Sequence, residues 1–337
     1  MLAAVKTKQK REVVLQETER PRLKEGDVLI QVDCCGVCGS DLHAYNHSKG
    51  YEFVPKPIIL GHEIAGTVID VHDPSNEKLI GQKVIVESMH YCGECDNCRM
   101  GRTSICLHNQ VIGLHFNGGM AEYVKTNVQF IQKIPDGLSP TTAALCEPMA
   151  IAVHAVERAG KINDKQVVLV QGPGIIGLFV SIICVLKGAK VILSGLERDF
   201  ESRLSKCPLF GVEPHVVEHG PVPDKVDLLF ECSGANSAVQ LGFNRLKKGG
   251  KAIIVALYEE ETSLFLTQLV RNEWSLITSY GCDPSDYQLA FELLKSHEES
   301  LQYVVDYYSL SNAVQAFTDS FNQTVLKSVL TMETKEG

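Results

Sequence analysis

Residues Gly172-Pro173-Gly174-Ile175-Ile176-Gly177 set G-x-G-x-x-G between an apolar run, Val167–Gln171, and a helical pattern, Ile175–Leu186. Gly172 permits a tight turn out of a strand, Gly174 lets the backbone come close to a pyrophosphate, and Gly177 lets the helix pack onto the strand. The helix N-terminus that follows carries partial positive charge suited to phosphate. Downstream, Lys190–Leu193, Asp227–Glu231 and Lys251–Leu257 are short β-rich runs, and Asn236–Leu246 reads as a helix. Continuous apolar strands alternating with helices predict an α/β fold, a doubly wound parallel sheet covered on both faces. The stretch Val167 to Leu186 carries no charge over 20 residues, long enough on paper to cross a bilayer. The glycine turn near its start predicts a strand, a turn and a buried helix instead.

Dinucleotide folds that bind NAD commonly end their second strand in Asp or Glu, which holds the ribose hydroxyls. Here Gly195 stands at that point, with Glu197 and Arg198 just beyond. Arg198 suits a 2′-phosphate and so NADP. Glu197 repels one, or reaches the ribose itself, so this turn leaves NAD or NADP open.

A chain of 337 residues predicts about two domains. Its first 135 residues read as short strands broken by glycine and proline: Val28–Val32, Ile64–Val71, Lys83–Glu87, Ala121–Val124 and Phe130–Ile134. Ser139 is a good helix N-cap with Pro140 behind it, Pro148 is expected to interrupt that helix, and a second helix runs to Arg158 with Gly160 past its end. Pro284–Leu294 and Ser311–Phe321 read as helices and Ser328–Met332 as a closing strand. The expected organisation is a β-rich domain at 1–150, an inserted dinucleotide-binding domain at 151–283, and a return to the first domain at 284–337. A formal charge of −9 speaks against broad nucleic-acid or anionic-membrane binding, which need a basic face.

Twelve cysteines mean disulfides in a secreted chain and metal or catalysis in a reducing compartment. The N-terminus Met1-Leu2-Ala3-Ala4-Val5-Lys6 lacks the apolar run of a signal peptide, so the expectation is a cytoplasmic chain with reduced thiols. Cys92, Cys95, Cys98 and Cys106 form C-x2-C-x2-C-x7-C amid Glu94, Asp96, Asn97 and Arg99, which is no core pattern. Four thiolates on a tight loop suit a closed tetrahedral zinc, with an iron–sulfur cluster as the chemical alternative. A closed site has no place for substrate, so its role is structural. A second set is more dispersed: Cys38-Gly39-Ser40-Asp41-Leu42-His43, Gly61-His62-Glu63 and Cys146-Glu147-Pro148. A thiolate, an imidazole and one or two carboxylates can hold zinc while leaving a position for water or substrate. Tyr45, Phe53, His115 and Phe116 are candidates for lining a nearby pocket.

These residues, with Gly118-Gly119, Ala121-Glu122-Tyr123 and the glycine turn, carry a resemblance over essentially the whole chain. It resembles the zinc-dependent medium-chain dehydrogenase/reductase family, and within it the polyol (sorbitol) and threonine dehydrogenase branch. The resemblance implies a GroES-like catalytic domain bearing two zincs, an inserted Rossmann domain, and an active site in the cleft between them. It implies Cys38 and His62 as ligands of the catalytic zinc, Glu63 and Glu147 as alternatives for the next position, and Ser40 then His43 as a proton relay. The implied reaction is oxidation of a secondary alcohol in a polyol, sugar alcohol or amino-alcohol-like substrate to a ketone, with hydride transfer to NAD or NADP, in a homodimer or homotetramer. A carbonyl or activated double-bond reductase, which predicts absence of the metal set, and a catalytically silent binding protein, which predicts a lost ligand, are the alternatives. The arginine–tyrosine pair of sorbitol dehydrogenases is not evident in Ser279-Tyr280-Gly281-Cys282, which speaks against sorbitol itself.

Overall fold

A computed structural model describes residues 1–222 and 225–332. The chain forms two compact units, one of Met1–Glu147 with the segment from Asp283 onward, the other of Pro148–Cys282.

The first unit is built on a seven-stranded sheet. In order its strands are Ile131–Lys133, Lys83–Val86, Glu63–Val71, Asp27–Gly36, Lys327–Thr331 and Val305–Ser309, with Tyr123–Asn127 also paired to Asp27–Gly36. The central strand is longer than its apolar run Val28–Val32 predicted. It continues through Cys34 and Cys35, both buried, and ends just before the Cys38 motif. Its first half pairs with Tyr123–Asn127 and its second with Lys327–Thr331, while Glu63–Val71 runs along its other side. Gly36 thereby stands opposite Glu63 on one side and Val329 on the other. The closing strand near the C-terminus is thus stitched next to the N-terminal metal motifs. Ile30, Ile64, Val68, Met120, Val124 and Phe317 are among the buried residues of this unit's core.

The second unit is an all-parallel six-stranded sheet in the order Glu213–Val216, Lys190–Gly195, Val167–Gln171, Val226–Glu231, Leu246–Ile254, Ser275–Thr278. The first strand in sequence, Val167–Gln171, lies in the middle. Strand order reverses between it and Val226–Glu231, the kind of switch point at which open α/β sheets bind ligands. The helix Ile175–Leu186 is buried from Gly177 to Cys184, and no helix among the described residues is long and apolar enough to cross a membrane.

Some boundaries differ from the sequence reading. The helix at Asn236 ends at Phe243, and the next strand starts at Leu246, earlier than expected. The break before the long helix falls at Ala144-Leu145, not at Pro148. Pro148 sits in the first turn of Cys146–Ala159, where a missing N–H leaves no intrahelical bond unmade.

Candidate active site and cysteine loop

The helix Gly39–Asn46 starts immediately after Cys38. Asp41, in its first turn, accepts the Cys38 N–H through Oδ2 at 3.0 Å, a reach-back that fixes a helix start. Its other oxygen accepts the Gly61 N–H at 3.2 Å and lies 3.7 Å from His62 Nδ1. One buried carboxylate therefore ties the Cys38 segment to the Gly61-His62-Glu63 segment. The other ring nitrogen, His62 Nε2, lies 3.2 Å from Ser40 Oγ. A metal-ligating histidine commonly turns its second nitrogen to a carboxylate; Asp41 faces that side of the ring as a charge at 3.7 Å, and His62 Nδ1 makes no hydrogen bond.

Among the described residues, one ligand atom each from Cys38, His62 and Glu63 come within 4.8 Å of one another. His62 and Glu63 are 3% and 0% exposed, and neither Glu63 oxygen nor His62 Nδ1 has a hydrogen-bond partner. Burial alone would push the His62 imidazole down, yet the charges of Asp41 and Cys38 hold it well above the ordinary histidine range. Burial pushes Glu147 up, a shift that His62 opposes and the charge of Glu63 reinforces. The pocket is thus crowded with anions and short of positive charge. Thiolate, imidazole and carboxylate are donors that suit zinc with one position open.

Glu147 stands outside that three-residue group. It is buried at the start of the helix Cys146–Ala159, and its Oε1 accepts from Ser88 Oγ at 2.8 Å. Cys146 is fully buried with its sulfur 3.9 Å from the Tyr287 carbonyl, a packing neighbour of the site. His43 lies one helical turn beyond Ser40, its ring stacked on Tyr51 at 5.0 Å. Tyr51 in turn stacks on Phe53, and Phe53 lies 4.7 Å from His115. Tyr45 instead packs inward on Phe317 and Phe321. Three partners escaped the sequence reading. Asp41 carried a signal, an acidic residue three positions into a helix. Ser88 and Lys327 carried none. Lys327 is buried, pairs with Glu63, and donates to the Val37 carbonyl at 2.9 Å.

The four cysteines of the loop are free thiols. Sulfur separations are 3.9 Å for Cys92–Cys98, 3.5 Å for Cys95–Cys98, 3.9 Å for Cys95–Cys106 and 3.5 Å for Cys92–Cys106. Four sulfurs at about 2.3 Å from one tetrahedral zinc would stand about 3.8 Å apart, so the cage fits that ion. Backbone N–H groups of Cys92, Cys95 and His108 point at the sulfurs at 3.3 to 3.4 Å. N–H donors from Leu107 and Cys98 bring the Cys95 thiol down to about 6, while burial pushes the neighbouring Cys98 thiol up to about 12.

In the second unit, Gly172 has φ of +95°, and a Cβ there would come within 2.7 Å of the Ser233 backbone. A Cβ on Gly177 would lie 2.0 Å from the Gly172 carbonyl oxygen. Space at Gly174 is freer, with nothing within 4 Å of a Cβ there, and Ile175 and Ile176 at the helix start are half-buried. A Cβ on Gly195 would lie 2.5 Å from Pro173 Cγ, so the strand end packs on the glycine turn and has no room for an acid. Beyond it, Glu197 is exposed and pairs with His219 at 2.8 Å, and Arg198 is exposed.

Comparison with known proteins gives a consistent picture. Residues 24–136 match the alcohol dehydrogenase GroES-like domain and residues 176–296 match the zinc-binding dehydrogenase family. The chain is 30% identical over 331 residues to a sorbitol dehydrogenase of Halalkalibacterium halodurans, covering 94% of this chain and 95% of that one. It is 31% identical over 330 residues to the D-arabitol-phosphate dehydrogenase of Enterococcus avium, covering 94% and 93%. The structure of L-idonate 5-dehydrogenase from Escherichia coli superimposes with a TM-score of 0.88 at 23% identity, over 98% of this chain and 97% of that one.

Proposed function

The chain belongs to the zinc-dependent medium-chain dehydrogenase/reductase family, and from that premise we propose that it oxidises a secondary hydroxyl of a polyol, sugar alcohol or amino-alcohol-like substrate to a ketone. The observation that carries this reading is the convergence of Cys38, His62 and Glu63 beside the Ser40 hydroxyl. Cys38, His62 and Glu63 would hold zinc there, which would supply a Lewis acid for the substrate hydroxyl, and a dinucleotide on the glycine turn would supply the hydride acceptor. Ser40 Oγ takes the hydroxyl proton, and His43, one turn further along the same helix, passes it to solvent. Asp41 holds the His62 segment in place through the Gly61 N–H. Glu147, fixed by Ser88, is the second carboxylate of the site. Cys92, Cys95, Cys98 and Cys106 hold a separate structural zinc, giving two per chain.

The turn Gly172–Gly177 is the pyrophosphate seat, with Gly195, Glu197 and Arg198 at the ribose. NAD is the acceptor we favour, on the branch to which the relatives belong; a strong preference for NADPH would overturn that choice. We also assign the chain to the cytoplasm as a homo-oligomer. The open sheet edge Ser275–Thr278 and the helix Leu266–Asn272, which buries no residue, support self-association. Phe265, Leu266 and Val270 there are 65%, 68% and 75% exposed, an apolar patch of the kind that subunit contacts cover.

The test is a panel of sugar alcohols, diols, inositols, sugar phosphates and L-threonine, read by absorbance of the reduced cofactor with NAD and with NADP. Turnover of at least one member, with about two zincs per chain, is expected. Cys38→Ser should then lower kcat/KM by roughly a thousandfold or more and leave dinucleotide binding intact. Activity surviving in that variant would refute the assignment.

A further inference from the structure

Lys327 stands beside the candidate site without a part in the chemistry above. Its whole side chain is buried, at 3% exposure, on a strand near the C-terminus. A buried ammonium is costly unless anions surround it, and here they do. Its Nζ pairs with Glu63 Oε2 and donates to the Val37 carbonyl at 2.9 Å, the residue before Cys38. Three adjacent strands bring this about, since Lys327–Thr331, Asp27–Gly36 and Glu63–Val71 lie side by side. The carboxylate has a fitted seat as well: a Cβ on Gly36 would lie 1.9 Å from Glu63 Oε2. One oxygen of Glu63 is thus held against Gly36 and Lys327. Neither oxygen has a hydrogen-bond partner beyond that ion pair, so Oε1 is buried with no partner of either kind, while Glu63 as a whole stays within the ligand group of Cys38 and His62.

We propose that Lys327 is a positioning residue that makes Glu63 a one-oxygen ligand of the catalytic metal, by occupying Oε2 and leaving Oε1 to the ion. The inference rests on the metal reading above. It answers which carboxylate binds directly: Glu63 binds, and Glu147, turned to Ser88, does not. Lys327 also supplies a counter-charge in a pocket that holds Cys38, Asp41, Glu63 and Glu147, so the pocket tolerates its anions before and after metal loading. Without it, Glu63 is free to rotate and offer both oxygens.

The experiment loads the full-length protein with cobalt and follows the visible absorption of the thiolate-containing site, together with competition by a chelator. Lys327→Met should lower the visible absorptivity, as a tetrahedral ion gains a ligand, and weaken metal affinity at that site roughly 10–100-fold. Lys327→Arg should restore both toward wild type. Lys327→Gln, which keeps a donor for the Val37 carbonyl without the charge, guards against simple misfolding and should give the methionine spectrum. The double variant Lys327→Met, Glu63→Gln should match Glu63→Gln alone, because the lysine acts through that carboxylate. An unchanged cobalt spectrum and affinity in the methionine and glutamine variants would overturn the proposal, as would a double variant worse than Glu63→Gln by the full effect of the lysine. A wild-type chain that takes up only one cobalt, at the cysteine loop, would remove the metal reading itself.

Discussion

The cysteine loop takes its four sulfurs from 15 consecutive residues, whereas the Cys38 site draws on groups as far apart as Val37 and Lys327, 290 positions along the chain. Cys92, Cys95 and Cys98 are partly exposed, on a loop whose Asp96 and Arg99 side chains are 89% and 70% exposed. His62 and Glu63 are buried beneath strands and helix. Besides its sulfurs and the N–H groups on them, the loop is held by Asn97 Nδ2 on the Ile105 carbonyl at 2.6 Å and by Asp283, which accepts from Thr103 Oγ1 and the Ser104 N–H at 2.9 and 2.8 Å. The Cys38 site is braced by Asp41, Ser88 and Lys327 whether or not an ion is present. On the proposed assignment, metal at the loop would be bound into the stability of the fold, and metal at the other site into chemistry.

Stepwise chelation breaks or sharpens this contrast with the largest effect. Three protein ligands and an open position should release their ion before four thiolates do. Activity should be lost with the first zinc, by roughly a thousandfold or more, while the melting temperature changes little. Loss of the second zinc should lower the melting temperature by several degrees. Metal content, turnover and thermal unfolding measured on the same samples decide the matter. A fall in melting temperature that tracks the first zinc would erase the distinction between the regions.

A smaller effect tests the bracing itself. Ser88 donates to the buried Glu147 at 2.8 Å, and a hydrogen bond to a charged group contributes about 1.5–3 kcal/mol. Ser88→Ala should lower kcat/KM roughly tenfold or somewhat more, with both zincs retained and the cysteine loop undisturbed. A variant with wild-type kinetics and a lowered melting temperature would make Glu147 a residue of the fold rather than of the site.

The same contrast decides what could be read from sequence. Four cysteines within one loop, and three glycines between a strand and a helix, are local patterns whose chemistry shows in their spacing. The parallel strands around Val167–Gln171 were legible for the same reason, since burial on both faces leaves continuous apolar runs. The helix Gly39–Asn46 was not, because it buries Asp41 beside Ala44 and Tyr45 and so shows no apolar stripe. The roles of Glu63 and Glu147 stayed open in sequence, since what separates them is Lys327 against one and Ser88 against the other. Both partners lie far away in the chain and are adjacent only through strand order. No spacing rule reports a lysine that arrives on the closing strand.

The smallest effect concerns His90, two residues before the first loop cysteine. Burial holds its imidazole down at about 4, with the ring stacked on Phe130 at 4.0 Å and Nε2 3.2 Å from Thr126 Oγ1. The unfolded chain takes up a proton on this residue near pH 6.5, while the folded chain stays neutral until about pH 4. Between those values the unfolded state binds more protons, so stability falls as pH is lowered through that window and is insensitive to this group above it. Thermal unfolding from pH 7 to pH 4.5 should show that slope, and His90→Phe, which keeps the stack on Phe130, should flatten it by roughly 2 °C. Zinc release from the thiolates also destabilises the protein in acid, so the comparison is made on the zinc-free protein. There the cysteines carry no metal to lose, and a slope equal in the two proteins would show that His90 is not held neutral by the fold.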